Sequence, residues 1–141
     1  CWLALRGLRT LAVRLRAHAE SALAVARFLK ERPEIDQVLY PALPGEPGHD
    51  LWKRDFQGAT GLFSVLLKRE ISERSAIAMV ERLELFGLGA SWGGFESLVL
   101  LTRPARTSLK WKDAGAIVRL HVGLEDPADL IEDLRNALSG L

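Results

Sequence analysis

A single cysteine, Cys1, among 141 residues leaves no partner for an intrachain disulfide, and no metal-binding constellation surrounds it. The three histidines, His18, His49 and His121, stand far apart and in no metal-ligand spacing. No apolar run approaches the roughly 18 uninterrupted residues a membrane span needs. Arg6, Arg9, Arg14 and Arg16 interrupt the opening segment, so no signal peptide is expected there. A cytoplasmic setting is therefore the expectation. A Gly-rich phosphate loop is missing too, because neither Gly87-Leu88-Gly89 nor Gly93-Gly94 leads into a helix start of that character. Internal repeats and low-complexity segments are absent. Charge of one sign is also lacking: the net charge is +1, so the global field selects no class of partner.

What charge there is lies unevenly. Cys1 to Arg32 carries seven Arg or Lys against two Glu, while Glu125 to Leu141 carries five acids against Arg135. The basic cluster reads as a solvated face. Its rival reading is a nucleic-acid-binding module, which would show salt-dependent affinity. The acidic end, the lack of aromatic–basic alternation and the near-zero net charge disfavour that rival. Hydrophobic content of 48% with 26% charge suits one globular domain with a working core.

The periodicity predicts a long helix from about 2 to 31. Leu8, Leu11, Leu15, Ala19, Ala22, Ala26 and Leu29 form its apolar stripe, and Pro33 stops it. Val38-Leu39-Tyr40 is a short strand, 41–48 a Pro- and Gly-rich loop, and 49–56 a helical turn. Strands follow at 61–68, 86–90, 97–102 and 117–124. A helix over 72–85 starts from Ser72, with Ile77, Val80, Leu83 and Leu85 as its apolar side. The final helix spans 127–138, with Asp126 as N-cap and Pro127 in its first position. Thr107 to Lys112 is expected to be irregular. The pattern predicts an α+β fold: a small mixed or antiparallel sheet, helices over one face, and a long helix in front.

Two runs place polar groups where a purely structural design would avoid them. In Ile117-Val118-Arg119-Leu120-His121-Val122-Gly123-Leu124, a guanidinium sits inside an apolar strand. It cannot lose its charge and has five donors to satisfy, so it needs an anion. In Ala90-Ser91-Trp92-Gly93-Gly94-Phe95-Glu96-Ser97, two glycines let the backbone approach a ligand closely. Together they suggest an anion site, with Arg119 as a planar fork and Ser91 plus nearby N–H groups as neutral donors. The structural alternative pairs Arg119 with Glu96 or another acid. Trp92 is a core residue or a pocket wall, and His121 a buried, satisfied histidine. Glu96 is expected to be structural, and His18 and His49 to be surface or packing residues.

These runs resemble the C-terminal domain of the Cys/Met-metabolism family of pyridoxal-phosphate enzymes, a fold-type I family. The resemblance extends from Leu5-Arg6-Gly7-Leu8-Arg9-Thr10-Leu11, through Val38-Leu39-Tyr40-Pro41 and Gly61-Leu62-Phe63-Ser64, to Glu125-Asp126-Pro127-Ala128-Asp129-Leu130. Tryptophan after Ser91, and Arg119-Leu120-His121, are similar to the beta-lyase branch rather than to the gamma-synthases or gamma-lyases. The resemblance implies that Arg119 grips a substrate alpha-carboxylate, helped by Ser91, while Trp92 and Ala90 border the substrate. Gamma-carbon enzymes tend to carry glutamate at the position of Ala90, and some beta-lyases tyrosine, so Ala90 leaves substrate scope open.

The branch implies cleavage of the amino acid cystathionine to homocysteine, pyruvate and ammonia, a step of methionine biosynthesis, by a homotetramer. It implies pyridoxal 5'-phosphate on a lysine upstream, and none of Lys30, Lys53, Lys68, Lys110 or Lys112 matches that motif. The chain also opens at Cys1-Trp2 without methionine. Residues 1–141 are accordingly expected to be the small C-terminal domain of a larger lyase. Alone, the chain is expected to be inactive, with no catalytic, cofactor-binding or metal residues of its own. The alternatives are a gamma-lyase or gamma-synthase domain of the same family, or a non-catalytic amino-acid-binding or interaction domain.

Overall fold

The computed structural model describes residues 1–104 and 115–141. The predicted irregular segment at 107–112 lies outside these described residues. Helix α1 spans Trp2–Arg9 and α2 Leu11–Lys30, followed by strand β1 at Ile35–Leu39 and the short helix α3 at His49–Asp55. Then come β2 (Leu62–Leu67), α4 (Glu73–Glu81), β3 (Gly87–Leu88), β4 (Leu98–Thr102), β5 (Ile117–His121) and α5 (Pro127–Leu138).

The strands form one sheet in the order β1-β2-β5-β4-β3. All neighbours are antiparallel except β3 and β4, which run parallel, so the sheet is mixed. Val118, Leu120 and Val122 join Phe63, Val65 and Val99 in a core with Val25 and Leu29 of α2, Met79 of α4, and Leu130 and Leu134 of α5. The helices thus cover one face, as an α+β arrangement requires. Pairing along β5 is unbroken from Ile117 to His121, so Ile117, Arg119 and His121 project to the opposite side from Val118 and Leu120.

Local chemistry explains most boundaries. Asp126 accepts a hydrogen bond from the N–H of Ala128 at 2.8 Å, and Pro127 occupies the first turn of α5. Ser72 caps α4 by accepting from the N–H of Ser75 at 3.1 Å. The buried Tyr40 donates to the Thr60 carbonyl at 2.7 Å, and burial pushes its phenol pKa up to about 12.

Three expectations need correction. The opening helix is two helices, broken at Thr10, whose φ of −106° and ψ of 3° leave the helical geometry. There the N–H and hydroxyl of Thr10 both turn to the Gly7 carbonyl, each at 3.3 Å, the local competition that makes threonine a poor interior residue. Leu8 and Leu11 consequently stay exposed, and the buried stripe begins only at His18, continuing through Ala22, Val25, Ala26 and Leu29. In α4 the core side is Ala76, Met79 and Val80, whereas Ile77 and Leu85 are exposed. The strand expected over 117–124 stops at His121, although the N–H groups of Val122 and Leu124 still bond to Gly61 and Phe95, each at 2.8 Å.

Candidate functional site

Arg119 lies at the middle of the central strand β5, flanked by Ser64 on β2 and Leu100 on β4. Neither neighbour can neutralise a guanidinium. Its Nη2 donates to the Ala90 carbonyl at 2.5 Å, and among the described residues no carboxylate forms an ion pair with it. The structural pairing with Glu96 is not made, since Glu96 is exposed and Arg119 turns to a backbone oxygen instead. One acceptor leaves most of the five-donor fork free, among the described residues, for a planar anion.

The segment from Ala90 to Ser97 arches beside this strand and is fastened at Ala90, Gly93, Phe95 and Ser97. The Gly93 N–H donates to Nε2 of His121 at 3.0 Å, while the Gly93 carbonyl accepts from Nε of Arg14 on α2 at 3.1 Å. Gly93 has φ of +84°, a conformation that a side chain disfavours and glycine adopts freely. The Phe95 carbonyl accepts from the Leu124 N–H at 2.8 Å. Both carboxylate oxygens of Glu125 are used on Ser97, at 2.8 Å from its N–H and 2.7 Å from its hydroxyl, and that hydroxyl accepts from the Gly123 N–H at 2.8 Å.

Beneath the arch two imidazoles meet edge to face, His18 of α2 and His121 of β5, with ring centres 5.0 Å apart. Both are buried, at 0% and 2% exposure. Burial, then the charge of Arg14, holds the His18 pKa below the ordinary histidine value. For His121 burial acts first and the neighbouring His18 second. His121 therefore packs as a buried histidine, but only its Nε2 is engaged among the described residues; Nδ1 and both nitrogens of His18 have no partner there. His18 is a packing residue. His49 is half-buried, its Nδ1 2.8 Å from the Pro41 carbonyl and its ring stacked on Trp52.

Of the four residues singled out from sequence, Arg119 and Ala90 touch directly, through the Ala90 backbone rather than its side chain. Ser91 follows at once; its hydroxyl is exposed and unbonded among the described residues. Trp92 is 63% exposed, so its ring stands at the rim rather than in a core. Sequence reasoning missed Arg14, His18, Ser97 and Glu125 as supports of the arch. Arg14 was hidden in a basic cluster, and Ser97 and Glu125 lie 28 residues apart. The one available signal was a helical spacing: Arg14 and His18 are one turn apart, leading into the buried stripe. A cleft lined by Ile71, Ser72, Thr102, Arg103 and Ile117 opens at the far ends of β4 and β5, away from the arch.

Residues 1–139 match the model of the Cys/Met metabolism PLP-dependent enzyme family. The chain belongs to that family. A cystathionine beta-lyase of Bordetella avium is 51% identical over 140 residues, covering 97% of this chain and 35% of its own length. An L-alanine/L-glutamate racemase of Wolbachia pipientis is 46% identical over 144 residues, covering all of this chain and 36% of its own length. The crystal structure of cystathionine gamma synthase from Xanthomonas oryzae pv. oryzae, in complex with aminoacrylate and cysteine, superposes with a TM-score of 0.83 at 37% identity. It covers 98% of this chain and 37% of that one. The chain thus spans about a third of the length of the curated relatives it matches, and the beta-lyase match lies in their C-terminal part. The family's enzymes depend on pyridoxal phosphate. Among the described residues the fit to that cofactor is poor around the arch: Lys30 is engaged with Glu46 at 2.6 Å, and Lys53 and Lys68 lie on α3 and beyond the end of β2. The donor set fits a carboxylate instead.

Proposed function

We propose that this chain is the C-terminal domain of a pyridoxal-phosphate-dependent carbon–sulfur lyase, a cystathionine beta-lyase, in which Arg119 binds the substrate's alpha-carboxylate. The observation that carries the reading is the half-buried Arg119 on the central strand, held by the Ala90 carbonyl and by no acid among the described residues. A guanidinium so placed offers two parallel N–H groups to a carboxylate and fixes the amino acid's orientation. Ser91 adds a neutral donor, Trp92 screens the rim from water, and Ala90 leaves room for the distal half of the substrate.

The cofactor, when bound, supplies an electron sink for the electrons released at the alpha-carbon. The lysine and the phosphate cradle belong to the remaining two-thirds of a longer protein, so this domain alone is inactive. The exposed apolar row of α1, with Trp2, Leu3, Leu5 and Leu8, supports burial against that remainder or a second subunit of a homotetramer. Methionine biosynthesis in the cytoplasm is the corresponding setting. The identity to a racemase favours a second reading, an enzyme that moves the alpha-proton without breaking a C–S bond.

Full-length protein given cystathionine, methionine and L-alanine in turn separates these readings. Pyruvate released from cystathionine at the highest kcat/KM supports the proposal; D-alanine formation without pyruvate, or preference for methionine, contradicts it. Ala90→Glu adds a carboxylate beside the distal half of the substrate and is expected to lower kcat/KM for cystathionine at least several-fold. An unchanged value would place Ala90 outside the pocket.

A further inference from the structure

Gly93 is held at both of its backbone polar atoms by side chains that sequence analysis assigned elsewhere. Nε2 of His121 accepts its N–H, and Nε of Arg14 donates to its carbonyl. Three residues earlier in the chain, the Ala90 carbonyl accepts from Arg119. The Gly93 clamp therefore fixes one end of the short segment whose other end sets where the Arg119 guanidinium points. We propose that His121 and Arg14 are positioning residues for substrate-carboxylate binding, and that His121 performs this role only while its Nε2 is unprotonated. The inference rests on the reading of Arg119 as the carboxylate ligand.

The proton requirement follows from the bond itself. A backbone N–H has only a donor to offer, so Nε2 must present a lone pair and the neutral ring carries its proton on Nδ1. A second proton would set two N–H groups against each other and release Gly93. The charged form is opposed by what faces the ring. His18 approaches from α2, Arg14 of α2 meets it across Gly93, and Arg119 stands two residues away on β5; the Gly94 backbone and the charge of Glu125, committed to Ser97, favour the cation. Across the sheet the register partners of His121 are Leu62 and Leu98, which carry no charge. Burial is the largest influence and outweighs the Gly94 backbone and Glu125, holding the His121 pKa below the ordinary histidine value. The clamp is closed at neutral pH and opens on the acid side.

The test uses full-length protein and reads KM and kcat separately from about pH 8 down to about pH 5, the range over which histidine titrates. Wild type is expected to show KM rising below pH 6.5 with kcat changing less. His121→Gln supplies an acceptor that cannot titrate, so its KM near pH 8 should stay within about threefold of wild type and its acid-side rise should disappear. Arg14→Gln, and His121→Phe with no acceptor at all, should raise KM about tenfold at every pH with kcat within about twofold. An acid-side rise in His121→Gln equal to that of wild type overturns the inference, as does an unchanged KM in His121→Phe. A readout independent of catalysis is the nitrogen-15 resonance pair of the His121 ring. Nδ1–H with bare Nε2 above pH 7 supports the clamp, and Nε2–H overturns it, whatever Arg119 variants do. Full activity in Arg119→Ala would instead remove the carboxylate reading.

Discussion

A buried imidazole pair beside an arginine is an arrangement that favours neutrality, and this has a thermodynamic consequence at the scale of single residues. Both His18 and His121 have folded pKa values below the ordinary 6.5, chiefly through burial. The unfolded chain therefore binds more protons than the folded one once pH falls below 6.5. Their contribution to stability is complete above that value and is lost as pH falls through the lowered folded values. The thermal midpoint is expected to drop between about pH 7.5 and about pH 5.5, and to drop less in His18→Leu, which removes one titrating group. Equal drops in wild type and variant would mean that the pair does not govern acid sensitivity. Arg119 and the Ser91 loop were legible in the sequence because a charge inside an apolar strand contradicts its surroundings. Arg14 and Glu125 were not, since charged residues in a basic cluster and at a helix approach contradict nothing.

Among the elements, the joints between helices and sheet rest on few polar contacts. Asp133 of α5 is buried and accepts from the N–H groups of Glu84 and Leu85, at 3.0 and 2.9 Å, which ties the final helix to the turn leading into β3. Asp133→Ala leaves both donors without their acceptor and is expected to cost about 2–4 kcal/mol, with Asp133→Asn costing less. Denaturant unfolding of both variants checks this, and equal losses would point to packing instead. Gly123, two residues past the end of β5, lies against the arch, and a Cβ there would collide with the Phe95 carbonyl and the Glu125 carboxylate. Gly123→Ala is expected to destabilise by about 1–3 kcal/mol. A midpoint unchanged in the same titration would show that the arch can move aside. Strand and helix identities followed from apolar spacing, and α5 matched from Pro127 to Leu138 because Asp126 and Pro127 mark its start in covalent terms. The break at Thr10 escaped prediction because apolar periodicity runs through it. A stripe shows what a helix can bury, not whether a neighbour is present to bury it, and Leu8 and Leu11 are exposed here.

For the whole molecule, one sheet face is sealed by helices while the other presents Arg119 and the arch. The family membership is carried by nearly the full length, residues 1–139, yet the relatives are about three times as long. Under the proposed function, Arg119 contributes a carboxylate ligand to chemistry completed by the remainder of a longer protein. The most direct measurement of this account is kcat/KM for cystathionine in full-length protein carrying Arg119→Lys or Arg119→Ala. Lysine keeps the charge but loses the planar pair of donors, so kcat/KM is expected to fall at least about tenfold, on the order of 1.4 kcal/mol. Alanine should cost more, and the absorbance of the bound cofactor should persist in both. Near wild-type kinetics in both variants would contradict the account, and so would failure of both to fold, which would make Arg119 a structural residue.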